Sequence, residues 1–119
     1  NIHEPPINFR WREGAQPSQI FEENMVITDE PGIYIEGSHG IRLENELLVR
    51  KDVKNEYGQF MRFEILTFVP IDLDALVPEC MSEDEKHLLN TYHKNVYKKI
   101  SPYLNEEEKA WLRYATRPI

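Results

Sequence analysis

Two glutamates stand where a carboxylate is hard to dismiss as surface charge. Glu30 lies in "NMVITDEPGIYIEG" (24–37), between the apolar runs Met25 to Ile27 and Ile33 to Ile35. Glu44 lies in "GIRLENELLVR" (40–50), two residues after Arg42. A carboxylate at the end of a buried strand costs several kcal/mol unless it is paired, hydrogen-bonded or bound to a cation. Arg42 and Glu44 share a strand face, so the arginine could hold a neighbouring carboxylate in fixed geometry. Glutamate oxygens are hard donors of the kind that suit a hard divalent cation. With His3 in "NIHEPP", the chain offers two glutamates and one histidine near a sheet, an incomplete site for such an ion. Plainer alternatives stay open. The "DEPG" turn can be exposed at a sheet end, and the Arg42 strand can be half-buried with a solvated charged face.

Other chemistries find no support. His3 does not open an H-E-x-x-H helix, because Ile7 stands where the second histidine belongs and Pro5-Pro6 forbid the helix. There is no Gly-rich phosphate loop, nucleophile elbow or Ser/His/Asp set. His39 falls in the polar turn "EGSHG" and is expected to be solvated, and His87 and His93 are expected at the surface of a helix or partly packed.

The elements that must position these residues follow from pattern. Asn1 to Gln19 is irregular, with Pro5, Pro6, Gly14 and Pro17. Met25 to Pro70 reads as strands. "MVITDEPGIYI" is an apolar run broken by a turn, for which Pro31-Gly32 suits type II. Pro31 also biases Glu30 to an extended conformation. "GIRLENELLVR" alternates, with Ile41, Leu43, Asn45, Leu47 and Val49 on one face. "FMRFEILTFVP" is β-branched and aromatic, and polar "KDVKNEYGQ" reads as the hairpin connection before it. From Met81 the period becomes helical. Ser82 with Glu85 forms a capping box, and Leu88, Leu89, Tyr92, Val96, Tyr97 and Ile100 recur at helical spacing until Ser101-Pro102. Asn105 with Glu108 starts a second helix, with Trp111, Leu112 and Ala115 as its apolar face and Arg117-Pro118 as its stop. Strands followed by helices make the fold class α+β. One domain is expected over 1–119, with loops and strands over 1–80 and helices over 81–119.

Composition bounds the function. The 119 residues suit a single domain with a real core. A net charge of −7 argues against nucleic acid or an anionic membrane as main partner. No run approaches the roughly 18 apolar residues of a membrane span, and no signal peptide is visible. Cys80 is the sole cysteine, which excludes an internal disulfide and a cysteine-based zinc site. A reducing, cytoplasmic setting is expected.

The order "NIHE" (1–4), "MVITDEPGIYIEGSHGIRLENELLV" (25–49) and "FEILTFVPID" (63–72) resembles the carboxy-terminal part of the catalytic domain of the Xaa-Pro aminopeptidases, or aminopeptidases P. These are metallopeptidases of the pita-bread fold. The "EPG" turn, the short loop and the "GIR-x-EN" strand form a specific combination. The fourteen residues from Glu30 to Glu44 fit the longer cytosolic form. "LTFVPIDLDAL", "LLNTYHKNV" and the terminal "WLRYATRPI" resemble that form's carboxy terminus, and favour it over prolidase, methionine aminopeptidase or creatinase. The resemblance covers essentially the whole chain.

The resemblance implies a partial pita-bread fold of antiparallel strands followed by two carboxy-terminal helices. It also implies two divalent ions, usually manganese, held by two aspartates, one histidine and two glutamates around a shared water. By motif match Glu30 binds one metal and Glu44 bridges both. His3 contacts substrate and helps move protons, and Arg42 orients the site. The metal-lowered pKa of the shared water supplies the nucleophile that attacks the carbonyl before proline. The aspartates and the metal histidine lie upstream of Asn1 in the family. This chain alone is therefore expected to hold metal weakly and to be inactive. Where the family shows Gly-Pro after "HE", this chain has Pro5-Pro6, which reshapes the loop beside His3. The implied partners are a peptide with proline at its second position, the upstream part of the same enzyme and a second copy in a homodimer. A different class of reading is a pita-bread module that has lost catalysis and binds peptides or proteins. Retention of Glu30 and Glu44 argues against it.

Overall fold

The computed structural model describes residues 20–119. Strands β1 (Val26–Asp29), β2 (Gly32–Ile35), β3 (His39–Arg42), β4 (Asn45–Asn55) and β5 (Gly58–Ile65) come first. Helices α1 (Glu83–Ile100) and α2 (Glu106–Ala115) follow, with short 3-10 turns at Leu73–Ala75, Pro78–Cys80 and Ser101–Tyr103. The class is α+β, with every strand pair antiparallel. The chain divides into two compact units, residues 1–67 and 68–119.

In the first unit β4 is the central strand of a β1-β4-β5 sheet, while β2 and β3 form a separate two-stranded hairpin. Val49, in the middle of β4, is fully buried. Its cross-strand partner is Phe63, on which Phe21 stands edge-to-face with centroids 5.7 Å apart. Asn24 enters β1 with φ +73, a region that asparagine tolerates. Its amide donates to Val49 O at 2.9 Å and its side-chain oxygen accepts from Arg50 at 2.9 Å.

Three sequence expectations change here. "GIRLENELLVR" is not one strand, since Leu43 and Glu44 break it into β3 and β4, which lie in different sheets. "KDVKNEYGQ" is mostly strand: β4 runs to Asn55, β5 begins at Gly58, and only Glu56-Tyr57 turn. Lys and Glu on exposed strands look like loop in a sequence, because the period-2 signal needs a buried face. Finally, Pro31-Gly32 is not a type II turn. Gly32 opens β2, and the described glycines with positive φ are Gly37, in the β2–β3 turn, and Gly58, the first residue of β5.

In the second unit both capping boxes form. Ser82 Oγ accepts from the Glu85 amide and Glu85 accepts from the Ser82 amide, and Asn105 and Glu108 repeat the exchange. The core is Leu89, His93 and Val96 of α1 with Leu112 of α2. Two expectations are corrected. Leu88 is 68% exposed and Trp111 62% exposed. Each adjoins a buried leucine about 100° away around the helix, so both cannot face inward. His93, expected at the surface or partly packed, is fully buried in the core. Its Nε2 accepts from the Ile71 amide at 3.0 Å, and Tyr92 donates to Val69 O at 2.8 Å, so the segment before α1 is fastened to it.

Candidate metal centre

The register places Glu30 and Glu44. Val26 pairs with Leu48 and Asp29 with Asn45 between β1 and β4. Gly32 pairs with Arg42 and Ile35 with His39 between β2 and β3. Both sets obey one numbering, so a single antiparallel ladder is interrupted at Glu30-Pro31 and at Leu43-Glu44. Pro31 explains the gap, because it has no N–H to give the ladder. Its carbonyl still accepts from the Leu43 amide at 3.2 Å, which keeps the two chains together across the break. Continuing the register sets Glu30 directly opposite Glu44. Two carboxylates opposite one another repel, so a cation is needed between them.

Arg42 is one such cation. One guanidinium nitrogen lies 3.3 Å from Glu30 Oε2 and the other 3.4 Å from Glu44 Oε2. Alternation puts Arg42 on the same face as both glutamates, and opposite it stands Gly32, whose missing side chain leaves the guanidinium a path to Glu30. Contact with Tyr34, then the charges of Glu44 and Glu30, raise the Arg42 pKa above its ordinary value. All three charged side chains are partly exposed, and exposed ion pairs add little stability. The arrangement therefore orients the carboxylates more than it holds the fold.

Two neighbours escaped the sequence reading. Thr28 Oγ1 donates to Glu30 Oε1 at 2.9 Å. Tyr34 lies flat along the same face, over Gly32 and Gly40. A Cβ on Gly32 would meet its hydroxyl at 2.8 Å, and one on Gly40 its Cδ1 at 2.6 Å. The signal was available, since Thr28, Gly32 and Tyr34 stand at even spacing from Glu30 and so share its face. Asn45, after Glu44, accepts from the Thr67 hydroxyl, which anchors the start of β4.

Of the sequence-predicted site residues, Glu30, Arg42 and Glu44 are brought together. His3 lies outside the described residues. Among the described residues no three of His, Cys, Asp and Glu are placed to hold a metal ion. The donors that are present, two carboxylates opposed at the interruption of the ladder, fit a hard divalent ion, with Arg42 steering one oxygen of each. No helix of the described residues is long and apolar enough to cross a membrane.

Known proteins resemble this chain in sequence and in fold. Residues 1–51 match metallopeptidase family M24, and residues 59–119 match the C-terminal region of peptidase M24. Aminopeptidase P1 of Arabidopsis thaliana is 34% identical over 99% of this chain, which covers 19% of that protein. A probable Xaa-Pro aminopeptidase P of Coprinopsis cinerea is 36% identical over the whole chain, which covers 20% of it. Among solved structures, X-prolyl aminopeptidase from Caenorhabditis elegans, described as a cytosolic enzyme with a di-nuclear active site, superposes with a TM-score of 0.71 at 33% identity. That likeness covers 83% of this chain and 17% of the other, and it shows the partial pita-bread fold. This chain thus spans about a fifth of the length of the relatives it matches. It belongs to metallopeptidase family M24, matching its C-terminal region.

Proposed function

We propose that the chain is the carboxy-terminal part of the catalytic domain of an Xaa-Pro aminopeptidase, which hydrolyses the bond between an amino-terminal residue and proline. The observation that carries this reading is the pair Glu30 and Glu44, opposed across an interrupted ladder and linked through Arg42. Glu30 and Glu44 are two of the ligands for a pair of divalent ions, manganese being the expected metal. When bound, that pair lowers the pKa of a water so that it can act as a nucleophile near neutral pH. Arg42 holds one oxygen of each glutamate, which leaves Oε1 of Glu44 and the remaining lone pair of Glu30 Oε1, beside Thr28, to ligate. Thr28 limits the rotation of Glu30 in the same way. His3 contacts the peptide and exchanges protons with it.

The remaining ligands are expected from residues upstream of Asn1, and the whole enzyme is expected to be cytoplasmic and homodimeric. The domain runs over 1–119, with its helices over 81–119. The chain by itself lacks most of the ligand set and is expected to be inactive. Incubation with manganese and an Arg-Pro-Pro peptide checks both parts. The whole enzyme should release arginine, and this chain alone should not. Release by the chain alone, or a whole enzyme that cleaves the peptide equally well with E30Q and E44Q, would overturn the reading.

A further inference from the structure

The carboxylate pair needs a fixed backbone as well as a fixed arginine, and the backbone at Glu44 is thinly held. Pro31 gives no N–H to the ladder, and the bond that remains beside it is the Leu43 amide donating to Pro31 O at 3.2 Å. Glu44 itself makes no backbone–backbone hydrogen bond among the described residues. Its side chain is therefore placed only as well as the residues on either side of it.

Thr67 holds the residues that follow. β5 ends at Ile65, opposite Leu47, and the Leu66 amide adds one more rung to Glu46 O at 2.9 Å. Continuing the register sets Thr67 opposite Asn45. There a side chain takes over from the backbone. Thr67 Oγ1 accepts from the Glu46 amide at 3.3 Å and donates to Asn45 Oδ1. One hydroxyl thus commits a lone pair and its only proton to two successive residues, which fixes the direction of both bonds. Thr67 and Asn45 are half-buried, whereas Glu44 is exposed. By alternation Asn45 points to the face opposite Glu44, so Thr67 lies behind the carboxylates and not beside them.

A structural role accounts for part of this, because closing a sheet end satisfies half-buried polar groups. That role is met at any rung. Here the closure falls at the residue next to Glu44, on the edge of β4 away from the interrupted ladder, and it supports the chain where the ladder gives Glu44 no bond.

We propose, on the aminopeptidase reading of Glu30 and Glu44, that Thr67 is a positioning residue for the metal centre, its hydroxyl locking Asn45 and Glu46 so that Glu44 keeps its place opposite Glu30.

Calorimetric titration of the metal-free whole enzyme with manganese, alongside peptide kinetics, tests this. T67V keeps the shape of the side chain and removes the hydroxyl. It should weaken manganese binding about tenfold, the lower end of the range for a supporting residue, and lower kcat by a similar factor with KM within about twofold. T67S keeps the hydroxyl and should restore both to within about threefold of the parent enzyme. A threonine with a purely structural role would lower the melting temperature of T67V and leave the metal affinity of the folded enzyme unchanged. That outcome, or T67S as impaired as T67V, would overturn the proposal. If T67V yields no folded enzyme, N45A removes the other end of the same bond and carries the same expectation. E44Q in the same titration separates the two levels. Loss of manganese affinity with E44Q but not with T67V defeats the role of Thr67 alone. No loss with either defeats the aminopeptidase reading as well.

Discussion

The two units of the chain differ in how completely they satisfy themselves. The helical unit buries Leu89, His93, Val96 and Leu112, closes both helix starts with reciprocal caps and ties Asn90 to Ile119. Among its described residues the strand unit fully buries only Val49 and leaves Ile33, Tyr34, Ile35 and Ile41 at least half exposed on its β2–β3 hairpin. Its most organised feature is not a core but the pair of carboxylates at the base of that hairpin. Apolar residues on both faces of a hairpin are what a strand pair shows when more protein is meant to cover it. The comparison teaches that stability and function are drawn from different parts of this sequence. On the proposed reading, one part is folded for packing and the other is arranged for ligands.

The sharpest way to break that division is to remove a carboxylate. In the whole enzyme, E44Q should lower kcat/KM by more than about 100-fold, because losing a ligand costs more than the 10–100-fold typical of a supporting residue. R42Q should fall within that range of roughly 10–100-fold. A smaller loss for E44Q than for R42Q, measured in one peptide assay, would put the chemistry on the arginine and not on the metal.

Packing substitutions should invert the pattern. Leu112→Ala should destabilise the helical unit by about 2–5 kcal/mol, the usual cost of a buried leucine. Ile33→Ser in the exposed hairpin should change the stability of this chain by less than about 0.5 kcal/mol. Chemical denaturation of the two variants compares them directly. Equal losses would contradict the division.

His93 adds a pH dependence to the helical unit alone. Burial lowers its pKa from the ordinary 6.5, with a hydrogen bond to the Arg117 backbone partly opposing. Its Nε2 already accepts the Ile71 amide, so a proton there would break that bond. The unfolded chain binds the proton more readily than the folded one. Stability should therefore be flat above about pH 6.5 and fall as pH drops below it. Thermal melts of the chain and of H93Q between pH 8 and 5 check this, and H93Q should lose that part of the pH slope. Ser82→Ala, which removes one helix cap, should cost about 1 kcal/mol.

What the sequence made legible follows the same division. Helix limits were readable because capping boxes and prolines are local signals, and both survive in the structure at Ser82, Ser101-Pro102 and Asn105. Glu30, Arg42 and Glu44 stood out because charge at a strand end needs a partner. The interruption between them was not read, since pairing register is a long-range property and nothing local marks Leu43-Glu44 as a gap. His93 was misplaced for a related reason. A histidine at a core position looks polar in a hydrophobic pattern until the Ile71 amide that satisfies it is known. Thr28 and Tyr34 were within reach of simple alternation from Glu30. His3 lies outside the described residues.

The central claim is that Glu30 and Glu44 form one metal-binding face. Manganese broadens nuclear magnetic resonance signals close to where it binds, even when it binds weakly. Titrated into the isotopically labelled chain, it should broaden Glu30, Arg42 and Glu44 first, and E44Q should abolish that effect. Broadening that begins at the acidic first turns of α1 and α2, with the hairpin base untouched, would contradict the account.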